Sequence, residues 1–337
     1  MSPEPSTRLV SGVVPLVAFA ALTALVDVYA GNRLQSLSPL GMAAVSFTLA
    51  AAFFLGLEVT RKGVPAALRP LRSNRADVVA INISTAVTWL SMLYALKYLE
   101  PAVVNVVGLA IGPVFALLLN PLLRKGTAIL ASEVAVSLGI GVFIGVLVWG
   151  SVTGRTGVAP VGAGDALLGI GLTLLCGLGS TGNVIFSKRL SESGYAPQSV
   201  LSVRFFLAIL VTWAAVAVSE DPQVGSVLLP GLIIAVIGVG VPLYVLQVGI
   251  KHTEPITASL LCTLSPLFAF LLQLPDDRLT VSGLTLVSVL GITALVGLGT
   301  LARGRYDRRQ AAAKQRPETV PARPAPADPT DPEVSSP

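Results

Sequence analysis

The sequence predicts an all-α integral membrane protein whose ten transmembrane helices form two inverted five-helix repeats. Three observations carry this reading: apolar blocks of spanning length, an uneven distribution of Lys and Arg among the breaks between them, and a match between the two halves at one place in the helix order. Of 337 residues, 53% are hydrophobic and only 12% are charged. A soluble chain carries about 25% charged residues to cover its surface. The apolar residues gather in blocks of roughly 18–22, and about 20 are needed to cross a ~30 Å hydrocarbon core at ~1.5 Å rise per residue. The alternating segments of a membrane β-barrel are absent.

Taken in order, the spans fall at 13–30, 40–59, 77–97, 102–119, 131–149, 166–187, 200–218, 227–247, 256–274 and 281–301. The first ends before Arg33. The second opens after Ser38-Pro39 and stops before Arg61-Lys62. The third runs from Asp77 to Lys97, and the fourth follows Glu100-Pro101 and ends before Arg124-Lys125. The fifth is the apolar run closed by Trp149. The sixth ends before Lys188-Arg189, and the seventh follows Ala196-Pro197 and ends before Glu220-Asp221. The eighth ends before Lys251, the ninth follows Glu254-Pro255 and ends before Asp276-Asp277, and the tenth ends before Arg303. Proline is at home in a first helical turn, and an acidic residue there suits the helix dipole.

Charge orients the array. The even-numbered connections hold Arg61, Lys62, Arg69, Arg72, Arg75, Arg124, Lys125, Lys188, Arg189 and Lys251, and the tail begins with Arg303, Arg305, Arg308 and Arg309. The odd-numbered connections hold Arg33, Lys97, Arg155 and Arg278 together with Glu220, Asp221, Asp276 and Asp277. The positive-inside rule then places the even connections and both termini in the cytoplasm of a bacterial-type cell membrane. The net charge of +5 is spread in this way over loops, so it points to topology and not to nucleic acid. Arg8, the following apolar stretch and Val28-Tyr29-Ala30 imitate a cleavable leader, but Asp27 abuts that site and the repeat requires the segment as a helix. Cys176 and Cys262 lie in apolar blocks without metal-ligand spacing, and we read both as small core residues. No metal and no cofactor is expected, and the sequence carries no signal for an oligomeric state.

The expected organisation is a cytoplasmic segment at 1–12, a first five-helix repeat at 13–149, an external linker at 150–165, a second repeat at 166–301 and a disordered cytoplasmic tail at 302–337. The tail turns from basic to a Pro-, Ala- and acid-rich composition that cannot bury a core, and its basic start suits anionic headgroups.

The repeat is visible in residues. LKYLEPAVV at Leu96–Val104 and IKHTEPITA at Ile250–Ala258 align Lys97, Glu100 and Pro101 with Lys251, Glu254 and Pro255. Each runs into an apolar helix containing a proline, Pro113 or Pro266. Ser38-Pro39 matches Ala196-Pro197, and aligning Asn32-Arg33-Leu34 with Lys188-Arg189-Leu190 sets Asp27 opposite Asn183. Five helices per half invert the second half relative to the first, the arrangement by which transporters rock about a site near the midplane.

The segments Tyr94–Leu119 and Gly249–Leu272, with the spacing from Pro197 to Arg204, resemble the EamA-like family of the drug/metabolite transporter superfamily over about Val13–Leu301. Two positions depart from the family pattern: Ser46 stands opposite Arg204, and Arg124-Lys125 stands where the second half has Asp277-Arg278. The resemblance implies a ten-helix permease of the cytoplasmic membrane, helices 5 and 10 peripheral, moving small metabolites, amino acids or drugs, often outward and often with protons.

Charges inside a membrane are costly, which makes Asp27 and Arg204 the first candidates for proton or substrate binding. Asp27 lies ~21 Å along its helix and suits proton exchange or a cationic solute; the alternative is a headgroup-level carboxyl paired with Arg33. Arg204 lies ~6 Å into its helix and suits an anionic group, an inter-helix contact or snorkelling to the interface. Thr85, Thr88, Trp89, Asn82, Asn105, Asn183, Tyr244, Gln247, Thr263 and Ser265 are candidate cavity-lining residues, against the alternative of hydrogen bonds between helices. Gly112, Pro113 and Pro266 are candidate hinges. The function expected is secondary transport of a small-molecule substrate across the lipid bilayer; outward direction and proton coupling are what the resemblance implies, and the residues themselves leave direction and coupling ion open. An enzyme is not expected, since a single histidine cannot supply an HExxH pair, and the lack of a P-loop argues against ATP drive. The other readings are a non-transporting receptor or scaffold subunit and, behind it, an intramembrane enzyme.

Overall fold

The structure, a computed structural model, describes residues 12–123, 131–157, 162–219, 224–252 and 260–314. Eight helices in it are long and apolar enough to cross a membrane, and two shorter apolar helices, Pro101–Ile111 and Leu260–Leu272, accompany them. We label the helices α1 (Val14–Arg33), α2 (Pro39–Lys62), α3 (Arg75–Tyr98), α4 (Pro101–Leu123), α5 (Ala131–Val152), α6 (Ala163–Glu192), α7 (Pro197–Ala217), α8 (Val224–Leu246), α9 (Leu260–Leu272) and α10 (Gly283–Lys314). Two short helices, Val64–Ala67 and Arg69–Ser73, link α2 to α3.

Local chemistry explains the helix ends. Ser38 accepts the Gly41 amide at the start of α2, where Pro39 fills the first helical position and leaves no N–H unpaired. Pro101 opens α4 and Pro197 opens α7 in the same way. Asp77 and Asp165 sit in the first turns of α3 and α6, and Lys97 and Arg189 in their last, each matched to the helix dipole.

Three helices depart from the ideal. α7 is helical over Pro197–Leu201 and Phe206–Ala217, with a break at residues 202–205 between them. α8 contains Pro230, which removes a backbone donor, and then passes through a π-helical segment, Ile234–Gly240. α10 does not end near residue 301, as its apolar block does, but continues through Lys314. The expectation of disorder from residue 302 is therefore corrected over 302–314. Arg303 bonds Glu133 of α5 at 3.1 Å there, and the Arg and Ala residues that follow are good helix formers. Residues 315–337 lie outside the described residues.

Several helix pairs repeat when each number is advanced by five. α3 packs on α6 as α8 packs on α1; α4 on α6 as α9 on α1; and α2 on α8 as α7 on α3. The contacts α2–α7, α4–α9 and α5–α10 map onto themselves, while others, such as α4 on α10, α1 on α4 and α5 on α6, have no counterpart of similar extent. The tightest crossing joins α3 and α6 at Gly179, where a Cβ would lie 2.8 Å from the Thr88 nitrogen and 2.9 Å from the Ser84 carbonyl. Only a residue without a side chain lets the two backbones come so close.

Polar contacts sort to two ends of the bundle. At one end, Asn32 faces Asp276 at 3.4 Å, Arg278 donates to the Gly31 carbonyl at 3.1 Å, and Gln35 donates to the Lys97 carbonyl at 3.4 Å. At the other, Lys62 bonds Glu58 at 2.8 Å and Ser199 at 3.2 Å, Asn74 bonds Ser193 at 3.2 Å, and Arg189 pairs with Asp77 at 3.7 Å. Pro39 starts α2 at the first end, whereas Pro197 lies beside Ser199 at the second. The matched prolines of the two halves thus stand at opposite ends of the bundle.

Candidate functional site

A cavity of about 300 Å³ lies among α1, α3, α4, α6, α7, α8 and α9. Its walls are mostly apolar, with Phe19, Trp89, Met92 and Phe205 prominent, and it contains one carboxyl and one guanidinium, Asp27 and Arg204.

Asp27 projects from α1 and is buried. Its carboxylate accepts one hydrogen bond, from Asn105 Nδ2 of α4 at 2.6 Å. The other N–H of that amide points to Ser265 Oγ of α9 at 3.2 Å. Arg33, the alternative partner read from the sequence, lies over the Tyr29 ring at 5.5 Å instead. Among the described residues no cation lies within ion-pair distance of Asp27.

Arg204 owes its position to the break in α7. Asn82 of α3 donates from Nδ2 to the Val203 carbonyl at 2.8 Å, and its Oδ1 accepts the Leu207 N–H at 3.1 Å. One amide side chain thus replaces helical hydrogen bonds that the break removes, as irregular backbone inside a bilayer requires. The guanidinium donates from Nε to Thr85 Oγ1 at 3.1 Å and lies 5.7 Å from the Phe205 ring centre. Thr85 donates to Asn183 Oδ1 at 2.9 Å, and Asn183 donates to Thr88 Oγ1 at 3.0 Å, so α3, α6 and α7 share one polar chain. Arg204 has no carboxylate within ion-pair distance among the described residues. Phe47 braces the aromatic wall, stacked on Phe205 at 5.8 Å and edge-on to Trp89 at 5.6 Å.

Of the residues singled out from the sequence, Asp27, Arg204, Thr88, Trp89, Asn105 and Ser265 line the cavity. Thr85 and Asn183 stand behind it as hydrogen-bond partners. Asn82 lies behind the break and does not line the cavity. Thr263 is buried and bonds its own helix, donating to the Leu260 carbonyl at 2.6 Å. Tyr244 is corrected: it is 70% exposed and is not among the lining residues. The π segment just before it adds a residue to the turn and moves Tyr244 to another face. Pro266 is buried just after a turn at residues 263–264, next to Ser265. The side chains of Gln247, Gly112 and Pro113 lie outside the described residues, although α4 and the helix Val241–His252 run through those positions.

Sequence reasoning missed four kinds of residue. Phe19, Thr23 and Phe205 line the cavity but read as ordinary helix content. Cys176, buried as expected, and Cys262, partly buried, also line it. Glu58 is buried between Lys62 and the Ser199 hydroxyl where α2 meets α7. Glu100 is buried at the opposite end. At that same end the Arg278 guanidinium holds the Asp276 carboxyl below the usual carboxylate range.

The model of the EamA-like transporter family, part of the drug/metabolite transporter superfamily, matches residues 167–299, from α6 into α10. No curated protein matches the chain. A solved structure described only as the crystal structure of a protein superposes with a TM-score of 0.57, covering 91% of this chain and 99% of its own, at 19% identity. At that identity the likeness is one of fold.

Proposed function

We propose that this chain, whose second half carries the EamA-like transporter domain, is a secondary transporter working by alternating access. Its ten helices form two inverted five-helix repeats, residues 13–149 and 166–301, around the central cavity. The helix pairs that recur at a shift of five, and the placement of Pro39 and Pro197 at opposite ends, support that reading. The protein sits in the cell membrane with both termini cytoplasmic, as the basic end of the bundle suggests.

The observation that carries the proposal is a single cavity holding Asp27 and Arg204, each without a charged partner among the described residues. Buried charges are retained in a bilayer where function uses them. Arg204 holds an anionic group of the solute through its fork of donors. Asp27 takes up and releases a proton as the cavity changes its access to water. The apolar body of the solute lies against Trp89, Phe205 and Phe19. Nearly equal stability of two inverted arrangements lets the cavity face either side, and an inward proton gradient acting through Asp27 would drive the solute outward.

The test is metabolite profiling of cells with and without the protein, followed by flux of the solutes that differ in proteoliposomes with an imposed pH gradient. The proposal requires gradient-dependent flux of at least one small anionic or zwitterionic solute. Binding without flux across that panel would favour a receptor.

A further inference from the structure

Glu100 occupies the turn between α3 and α4 and is 1% exposed. Turn carboxylates are ordinarily solvated, and a fully buried one is rare unless paired. Its Oε2 accepts the Gly157 N–H at 3.0 Å and faces Gln273 Nε2 at 3.4 Å, and its Oε1 accepts the Thr285 hydroxyl. Gln273 closes the ring by accepting the Ala102 N–H on Oε1 at 3.0 Å. Three segments distant in sequence therefore meet on one carboxyl: the connection after α5, the residue after α9 and the first turn of α10. The contact is built closely. A Cβ on Gly157 would run into Glu100 Oε2 and the Thr280 carbonyl. The Thr280 N–H bonds Gly157 O at 2.8 Å, and the Ser282 hydroxyl donates to Arg155 O at 2.7 Å.

Among the described residues, no charged group on the surrounding elements neutralises it. Lys97, Asp165 and Asp277 are exposed, Arg155 lies over the Trp149 ring at 4.6 Å, and Arg278 bonds Asp276 and the Gly31 carbonyl. Burial pushes the Glu100 carboxyl up to about 7, and its hydrogen bonds only partly oppose this.

We propose that Glu100 is a proton-operated latch: its protonated carboxyl holds the α3–α4 turn, the connection after α5 and the start of α10 together, and the proton passes to outside water when that end opens. The inference rests on the transporter reading for which end is outer and for the use of the motion. The latch itself is readable without any flux. Its sign follows from linkage. In the open form the carboxyl meets water and returns to about 4.3, the ordinary glutamate value. A value raised in the closed form stabilises closure fully below that ordinary value, and the gain is lost as pH rises through about 7. Acid closes this end, and alkali opens it.

The experiment is a spin-label distance measurement on the full chain in lipid nanodiscs, with labels at K97C and D277C and with Cys176 and Cys262 replaced by Ala. Samples span about pH 5 to about pH 9, bracketing the ordinary and raised carboxyl values. The expected result is one short distance in acid and a longer population that grows in as pH rises from the ordinary carboxyl value towards about 7. Glu100→Gln, which cannot ionise, stays short throughout. Thr285→Val removes a donor to the ionised closed form, so its longer population in alkali is larger than the parent's and does not move to higher pH. Gly157→Ala wedges the contact and shows the longer population already in acid. A distribution that does not change with pH in the parent, or a titration that persists unaltered in Glu100→Gln, overturns the latch. Should Glu100→Gln fail to fold, the parent titration and the larger alkaline opening of Thr285→Val still decide. Absent flux in proteoliposomes would strike the transporter reading while leaving this titration intact.

Discussion

Asn82 on α3 donates a 2.8 Å hydrogen bond to the carbonyl of Val203, inside the break of α7. The same side chain accepts the Leu207 N–H, so one residue repairs both sides of a gap in another helix. Asn82→Leu keeps the volume and leaves a carbonyl and an N–H unpaired in the membrane interior, at about 1–3 kcal/mol per group. We expect a lower thermal unfolding midpoint in detergent together with weakened solute binding, because Arg204 loses its platform. A variant as stable as the parent would show that α7 heals its own break.

Arg204 acts as an anion anchor in this account. Arg204→Lys keeps the charge but loses the planar fork and the Nε–H that bonds Thr85. Charge-assisted hydrogen bonds contribute about 1.5–3 kcal/mol, which is roughly 10- to 150-fold in affinity. Once a solute is known, its dissociation constant for Arg204→Lys should rise within that range with little change in unfolding midpoint. Unchanged affinity would place Arg204 in a structural role.

Asp27 is assigned to proton exchange. Asp27→Asn should reach the membrane in normal amounts, bind solute, and show flux that no longer varies with pH. An unchanged pH profile would remove Asp27 from the coupling step. Asn105→Ala takes away the one hydrogen bond made to that carboxylate and should shift the profile without abolishing it.

Gly179 sets the spacing of α3 and α6. Gly179→Leu forces the helices apart against the Thr88 and Ser84 backbone, and overpacking of this kind costs about 1–3 kcal/mol. Because α3 and α6 also carry the Thr85–Asn183–Thr88 chain, a loss of solute binding should accompany the loss of stability. Parent-like unfolding and binding in that variant would contradict the close crossing.

Helices were legible because each apolar block is long, and because proline and paired charges mark its ends. Asp27 and Arg204 were legible because charge inside an apolar block is conspicuous. Glu100 was not, since a Lys-x-x-Glu-Pro turn looks solvated, and its partners Gly157, Gln273 and Thr285 lie far along the chain. Asn82 was singled out, but its target, a broken stretch of α7, has no signature in an apolar run. Tyr244 was misplaced because a π segment shifts the phase that a uniform 3.6-residue period assumes. The continuation of α10 was hidden by the change from apolar to basic residues, although helix propensity persists through it.

The central claim is that one cavity faces each side of the membrane in turn. A single cysteine at Thr23→Cys on the cavity wall, with Cys176 and Cys262 replaced, can be challenged with an impermeant thiol reagent from either face of oriented vesicles. Alternating access predicts labelling from both faces, with solute or pH shifting the balance between them. Labelling from one face alone under every condition would contradict it.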